Sequence, residues 1–573
     1  MGQFALVVPD VGWRVAYRTA NLLLRLGVPV RWTRDAASMI VDARGQVTHL
    51  PPGSFLLGEP DEVARRATDT IRTLLGQLDV RAVAGEVRAG SSLRLQPARV
   101  AVYGGGGAPF HHLSALRLLG FDADPIMPAH IHAGDLAHYT AMAMPGGGWD
   151  AMQGQLAPLG PTGARAIAAF VRHGGLYLGS CAGAYNAAVT PASFQESCPV
   201  QQDMQLINAR IWNTGDAAWG GLQSPGIGVV AVEGAREGHP VLVNLPTRFR
   251  LTHYNGPIFA PVDGVIPGAS SVTGLARFSG LTPDFTSAED FLGDGAPGPR
   301  LMDRAIAAGL FSVVHGELDA GSVLLCGSHP EFGHDLSLAD LEDGALLLAN
   351  AVLWHTATHP VRLTASDDRP LAWPATSTSA SAPRAHLPVI ARQVSEVEMV
   401  STAHPWWLEP RHSMSLFGRL PSSMWDGEVA QLLPRLGRID AAMDRVDDLA
   451  RRIREVCADV PPMSRELERV ARDMQYRADP ASRQDGGYRG IGALLEEVSD
   501  LLRQATQLRA SAAPMPPPSP YHAYQDAWRN PYHLVAGSYL AASGLLTGAE
   551  LLLQSDIVCL EDALLMRGRG SSH

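Results

Sequence analysis

Short apolar runs alternate with helically spaced ones over residues 1–96. The pattern predicts strands at 4–9, 28–32, 55–57 and 80–83, with helices over 13–26 and 60–78. Strands alternating with helices favour a parallel sheet, so a small α/β domain is expected here. A second α/β domain is expected over residues 97–360. Apolar strands at 99–103, 139–144, 175–179 and 322–326 run into glycine-rich or reactive segments, and helices are predicted near 112–119 and 164–173. Residues 361–400 are rich in Ser, Thr, Ala and Pro, the composition of a linker.

Residues 401–573 carry a helical pattern. Leu432, Leu436, Ile439, Met443, Val446, Ala450 and Ile453 recur at alternating spacings of four and three, a heptad seam. Leu467, Val470 and Met474 mark a second helix; Ile491, Leu494, Val498, Leu501 and Ala505 mark a third. The seam predicts helix pairing, either inside this bundle or with a protein partner or second copy. The uncharged stretch 533–549 has Gly544 and Gly548 at GxxxG spacing. A membrane span needs about 20 apolar residues. This run contains Ser, Tyr and Thr and ends at Glu550, so a buried bundle helix is expected rather than a membrane span.

Composition narrows the class of protein. The 573 residues allow about three or four domains, and 46% apolar content can fill large cores. A formal charge of -11 and no basic stripe argue against a nucleic-acid partner. The start has no basic segment leading into an apolar run, so no secretory leader is expected. The five cysteines, Cys181, Cys198, Cys326, Cys457 and Cys559, are scattered and form no CxxC pair, which suits a reducing cytoplasm and supplies no zinc framework. All 46 basic residues are Arg. Codon bias is one account. The other is selection against exposed amines, which would set the chain beside a lysine-modifying enzyme of the biotin or ubiquitin-like kind. Arg keeps the charge without offering a nucleophile.

The strongest chemical signal is Gly179-Ser180-Cys181-Ala182-Gly183 at the end of a buried strand. Small residues permit a sharp strand-to-helix turn that lifts Cys181 clear of the sheet. A helix N-terminus beneath the sulfur favours thiolate. Gly327-Ser328-His329-Pro330-Glu331-Phe332 follows another strand. His329 can take the thiol proton and return it to a leaving amine, and Glu331 can hold its tautomer. Met144-Pro145-Gly146-Gly147-Gly148 is a glycine loop whose N–H groups face outward. Gly147, with Ala182, is a candidate oxyanion donor. His111-His112 and His334-Asp335 are residues of metal-ligand type outside any ligand framework, so no metal or cofactor is expected. Trp406-Trp407 is assigned to linker packing.

Together these phrases, with Val102-Tyr103-Gly104 and Tyr254-Asn255-Gly256-Pro257, make residues 97–360 similar to class I glutamine-amidotransferase-like domains. They resemble most the family named for the N-terminal part of biotin-protein ligases. The resemblance implies a flavodoxin-like parallel sheet with its site at the carboxyl ends of the strands. It also implies a substrate pocket that includes Gly104, Gly105, Gly146, Tyr185, Tyr254 and Asn255. Tyr185 stands where true glutamine amidotransferases carry Gln, which leaves the substrate open. The expected activity is a thiol-dependent amidase or amidotransferase-like hydrolase on a small-molecule or peptide amide. The rival readings are a non-catalytic scaffold in a lysine-modifying pathway and a cysteine peptidase of the same superfamily.

Overall fold

The structure is a computed structural model. It describes residues 3–35, 38–41, 47–58, 64–87, 91–147, 151–190, 199–214, 225–283, 285–287, 300–333, 341–359, 371, 373, 381–403, 414–415, 418–419, 432–457, 461–477, 486–511 and 531–566. His334-Asp335, Trp406-Trp407, Gly148 and Cys198 lie outside these, and so does the side chain of Cys457.

The first sheet is antiparallel throughout, which corrects the parallel expectation. From edge to edge it runs Val47–Leu50, Ser38–Val41, Val83–Val87, Gln3–Leu6, Phe55–Leu57, Val30–Thr33 and Ser92–Arg94. The helices do connect parallel strands, but each crossover skips a place. Trp13–Arg25 links Gln3–Leu6 to Val30–Thr33, and Phe55–Leu57 fills the gap between them. Ala64–Gln77 links Phe55–Leu57 to Val83–Val87 across Gln3–Leu6. These are two interleaved split β-α-β units. Alternation of element types is the same for adjacent and split crossovers, so the chain pattern does not separate them.

The second sheet is mixed and, among the described residues, has eleven strands. Its parallel half holds, in chain order, Arg99–Tyr103, Asp122–Ile126, Ala141–Met144, Leu176–Ser180 and Gly321–Cys326. In space they lie second, first, third, fourth, fifth. The antiparallel half continues from the fifth through Phe311–Leu318, Thr273–Leu281, Ile227–Gly234 and Arg248–Tyr254. Helices Pro109–Leu118, Ala151–Arg172 and Ala345–Thr358 accompany this sheet.

The C-terminal region is helical. Its central element is Pro531–Met566, which packs on Leu432–Cys457, Pro461–Gln475, Ile491–Ser511 and Pro109–Leu118. The heptad residues Leu432 to Ile453 are buried, and the helix facing them belongs to the same chain. Ala541–Met566 is long and apolar enough to cross a membrane, yet 72% of its apolar window is buried within the chain. Its carboxylates are taken up internally: Glu550 pairs with Arg435 and Arg438, and Asp562 with Arg18. Within 361–400, Leu387–Ala403 is a helix with Leu387, Ile390 and Val394 buried, which corrects the linker reading for that part. The Ser- and Pro-rich composition ends before it, and its apolar residues at a three-four spacing find the face of Ile491–Ser511.

Charge complementarity fastens the helical region to the sheet. Asp122 and Asp124 project from one face of their strand, being two positions apart. Arg465, Arg469 and Arg472 fall on one face of Pro461–Gln475. Arg465 and Arg469 lie 2.8 and 2.6 Å from Asp122, and Arg472 lies 3.2 Å from Asp124. Burial alone would raise these carboxyls. The arginines outweigh it, holding Asp122 at about 2 and Asp124 well below the usual range.

Candidate active site

Leu176–Ser180 ends at Cys181, whose φ of 49° and ψ of -110° put a non-glycine residue in a strained turn. Its N–H donates to the Cys326 carbonyl at 2.9 Å, and its own carbonyl accepts from Ala184 and Tyr185 in the helix Ala182–Ala187. The strand therefore turns into a helix at the thiol, as the small flanking residues allow. Cys181 is 8% exposed, and its Sγ lies 3.4 Å from the Tyr254 carbonyl oxygen.

The next strand over, Gly321–Cys326, delivers Gly327 to Phe332 beside it. A bridge from the antiparallel half fixes this loop: the His329 N–H donates to the Thr252 carbonyl at 2.8 Å, and the Thr252 hydroxyl donates to the Gly333 carbonyl. His329 Nδ1 lies 2.9 Å from Glu331 Oε1. The His329 ring stacks on Phe332 at 4.2 Å, and the His111 ring lies 4.0 Å from the same Phe332 ring, tilted by 39°.

Gly146 shows how closely the thiol and imidazole approach. A Cβ built there would lie 2.5 Å from His329 Cε1 and 2.7 Å from Cys181 Cβ. Only glycine fits between the two. Gly147 follows with φ +84°, and Ala182 is the first helical residue after the thiol. Tyr185 and Asn255 meet on the same side, with the Tyr185 hydroxyl 3.4 Å from the Asn255 carbonyl and 2.6 Å from Asn213 Nδ2.

Electrostatics separate the two triad partners. Burial would lower the His329 imidazole, but Cys181 and Glu331 outweigh it and raise it to about 10. Burial would raise the Glu331 carboxyl, but the His112 and His329 rings hold it at about 2. His329 is thus poised as a proton carrier held by a permanent anion.

Gly104 lies against Met127 and Tyr488, and Gly105 against Tyr103 and Pro128. The segment Gly486 to Tyr488 of the helical region pairs with this loop: Gly487 donates to the Gly107 carbonyl and Tyr488 to the Gly104 carbonyl, both at 2.8 Å. Sequence reasoning also missed the closeness of His112, His111 and Asn213. The signal for the histidines was their place at the start of a helix that follows the glycine loop. They do not converge as a metal pair, because adjacent residues on a helix point apart. Among the described residues no group of three or more His, Cys, Asp or Glu could hold a metal ion.

Residues 111–347 match the biotin-protein ligase N-terminal family. This match spans less than half of the chain, and Cys181, His329 and Glu331 all fall inside it. No curated protein matches the chain significantly. Among solved structures, a ThuA-like protein of Bacteroides uniformis is 16% identical, with 46% of this chain and 93% of that chain covered and a TM-score of 0.28. A cytoplasmic protein of Salmonella typhimurium is 14% identical, with 45% of this chain and 98% of that chain covered and a TM-score of 0.28.

Proposed function

We propose that this chain is a cysteine-dependent amidase or amidotransferase-like hydrolase. The observation that carries the reading is the convergence of the Cys181 side chain and the His329 ring on Gly146, with Glu331 on the far nitrogen of that ring. In the proposed reaction the Cys181 sulfur attacks a carboxamide carbon. The oxyanion takes N–H bonds from Gly147 and Ala182. Collapse breaks the C–N bond, His329 protonates the leaving amine, and a thioester remains on Cys181. Water, deprotonated by His329, then releases the acid and restores the thiol. Tyr185, Tyr254 and Asn255 border the acyl pocket. The parallel half has the strand order of flavodoxin-like sheets, and such sheets carry their sites at the carboxyl ends of the strands. We assign the domain to the amidotransferase-like superfamily and its setting to a reducing cytoplasm, in keeping with free Cys181, Cys326 and Cys559.

Alkylation tests the nucleophile. Iodoacetamide is expected to modify Cys181 well before Cys326 or Cys559 in the folded protein, as read by peptide mass spectrometry. Burial raises the Cys326 thiol and pushes Cys559 up to about 12, so both are poor competitors. Labelling of Cys181 no faster than of Cys559 removes the enzyme reading. Ammonia release from a panel of primary amides then identifies the substrate class. Glu331→Gln is expected to retain more turnover than His329→Ala, because an amide oxygen can still accept from Nδ1 while the negative charge is lost.

A further inference from the structure

We propose that His112 is a positioning residue of this site: its Nε2–H, donated to Ser180, the residue before the nucleophile, faces Glu331 and orients it toward His329. The inference rests on the amidase reading and deepens it.

Glu331 has two oxygens and is almost wholly buried. Oε1 serves His329. Oε2 makes no hydrogen bond among the described residues, and His112 Nε2 lies 3.7 Å from it. The same nitrogen lies 3.2 Å from Ser180 Oγ. Beside Nε2 lie a carboxylate, which only accepts, and a hydroxyl, which can accept, whereas Nδ1 is buried without a partner among the described residues. A proton on Nε2 donates to the Ser180 hydroxyl and faces the carboxylate across 3.7 Å. Burial lowers the His112 imidazole and Glu331 raises it, with burial the larger effect. A donor on Nε2 orients the carboxylate toward His329.

The geometry also links the two strands of the site. Ser180 closes Leu176–Ser180, and Glu331 follows Gly321–Cys326. His112, on Pro109–Leu118, spans them from the helix layer. The other titratable groups nearby are His111 on Phe332, His253 beside Ser328, and Cys326. Burial lowers His111 and His253 to about 3 and raises Cys326, so none of them titrates between pH 5 and 9. None of these three groups therefore contributes to a pH profile of Cys181 alkylation in that window.

The test is the rate of Cys181 alkylation by iodoacetamide from pH 5 to 9 in the full chain. His112→Ala is expected to move the half-maximal pH upward by about one unit, which is about tenfold in rate on the acid limb. The high-pH plateau stays the same. His112→Gln keeps a donor and is expected to recover most of the shift. Ser180→Ala leaves His112 in place, removes the other anchor, and is expected to shift the profile in the same direction by less. Profiles for folded His112→Ala and Ser180→Ala that coincide with the native one overturn the proposal, as does an equal shift for Ala and Gln at position 112. If His112→Ala does not fold, Ser180→Ala and His112→Gln decide by the same criterion. A native Cys181 no more reactive than Cys559 sinks the amidase reading itself, whereas a reactive Cys181 indifferent to His112 sinks only this inference.

Discussion

Cys181→Ala and His329→Ala are each expected to abolish amide turnover, with losses of at least about 10⁴-fold, and the double substitution is expected to add little. The reason is mutual dependence. A thiol without His329 has no carrier for the proton that must reach the leaving amine, and His329 without Cys181 has nothing to activate. Residual rate in any single variant then comes from binding and the oxyanion donors, which both substitutions leave alone. The pH dependence carries the same signature. His329 is raised to about 10 by Cys181 and Glu331, so its proton is available for the amine below that pH. Turnover should therefore fall as pH rises through about 10. Glu331→Gln removes one of the two groups that raise His329, and the alkaline limb should move to lower pH. Independent, additive losses in the double variant, or an alkaline limb unmoved by Glu331→Gln, would show that these residues do not share one mechanism.

How much of this was legible in the chain depends on how local the coding is. The strand, sharp turn and helix around Cys181 are written in five consecutive residues, because backbone sterics act over that range. His329 and Glu331 sit two positions apart on one loop, so their bond is also a local matter. His112 is different. Its meaning depends on how Pro109–Leu118 packs over two strand ends, and no spacing rule connects residue 112 to residue 331. The same limit hid the split crossovers of the first sheet and the pairing of Gly486 to Tyr488 with the glycine loop. The Asp122 and Asp124 pair and the Arg465, Arg469 and Arg472 row each show their periodicity in the sequence, but only the fold shows that they meet.

The absence of Lys gains only part of an explanation from the fold. Buried Arg117, Arg435, Arg469 and Arg472 each reach more than one partner, which suits a planar fork better than an ammonium. Exposed pairs such as Arg165–Asp203 and Arg477–Glu496 make no such demand, with the arginine side chains 60% and 63% exposed. Lysine would serve there. The cause of its exclusion from the surface therefore lies outside packing. A count of Lys-free chains of similar length in the same proteome separates codon bias from protection: an outlier supports protection, and a commonplace excludes it.

Arg117→Ala is expected to cost about 3–5 kcal/mol of stability, the usual penalty for stripping one partner from a buried ion pair. Arg117 is 1% exposed on the helix that also carries His111 and His112. Its NH1 lies 2.7 Å from Asp473, 3.2 Å from the Ser555 hydroxyl and 3.5 Å from Asp556, while Nε donates to the Ala123 carbonyl at 3.0 Å. It thus joins the sheet domain to two separate helices of the C-terminal region. The two carboxylates are not equivalent. Burial would raise Asp473, but Arg117 and Arg472 outweigh it and hold it at about 2. Burial and the nearby Asp473 raise Asp556 well above the usual carboxyl range, against the pull of Arg117. Asp556→Asn, which keeps the shape and a hydrogen-bonding head, is accordingly expected to change stability at pH 7 far less than Arg117→Ala. The sign of the pH dependence follows from Asp473. Its folded pKa lies below the unfolded value, so its contribution is present above about pH 4 and is lost as pH falls toward 2. Arg117→Ala removes the first of the charges that depress Asp473, and the variant should lose less further stability over that acid range than the native chain. Urea unfolding followed by circular dichroism at pH 7 and at pH 3 measures all three quantities. Equal costs for Arg117→Ala and Asp556→Asn at pH 7 would show that the two carboxylates share the charge, and an acid slope unchanged by Arg117→Ala would show that Arg472 alone sets the state of Asp473.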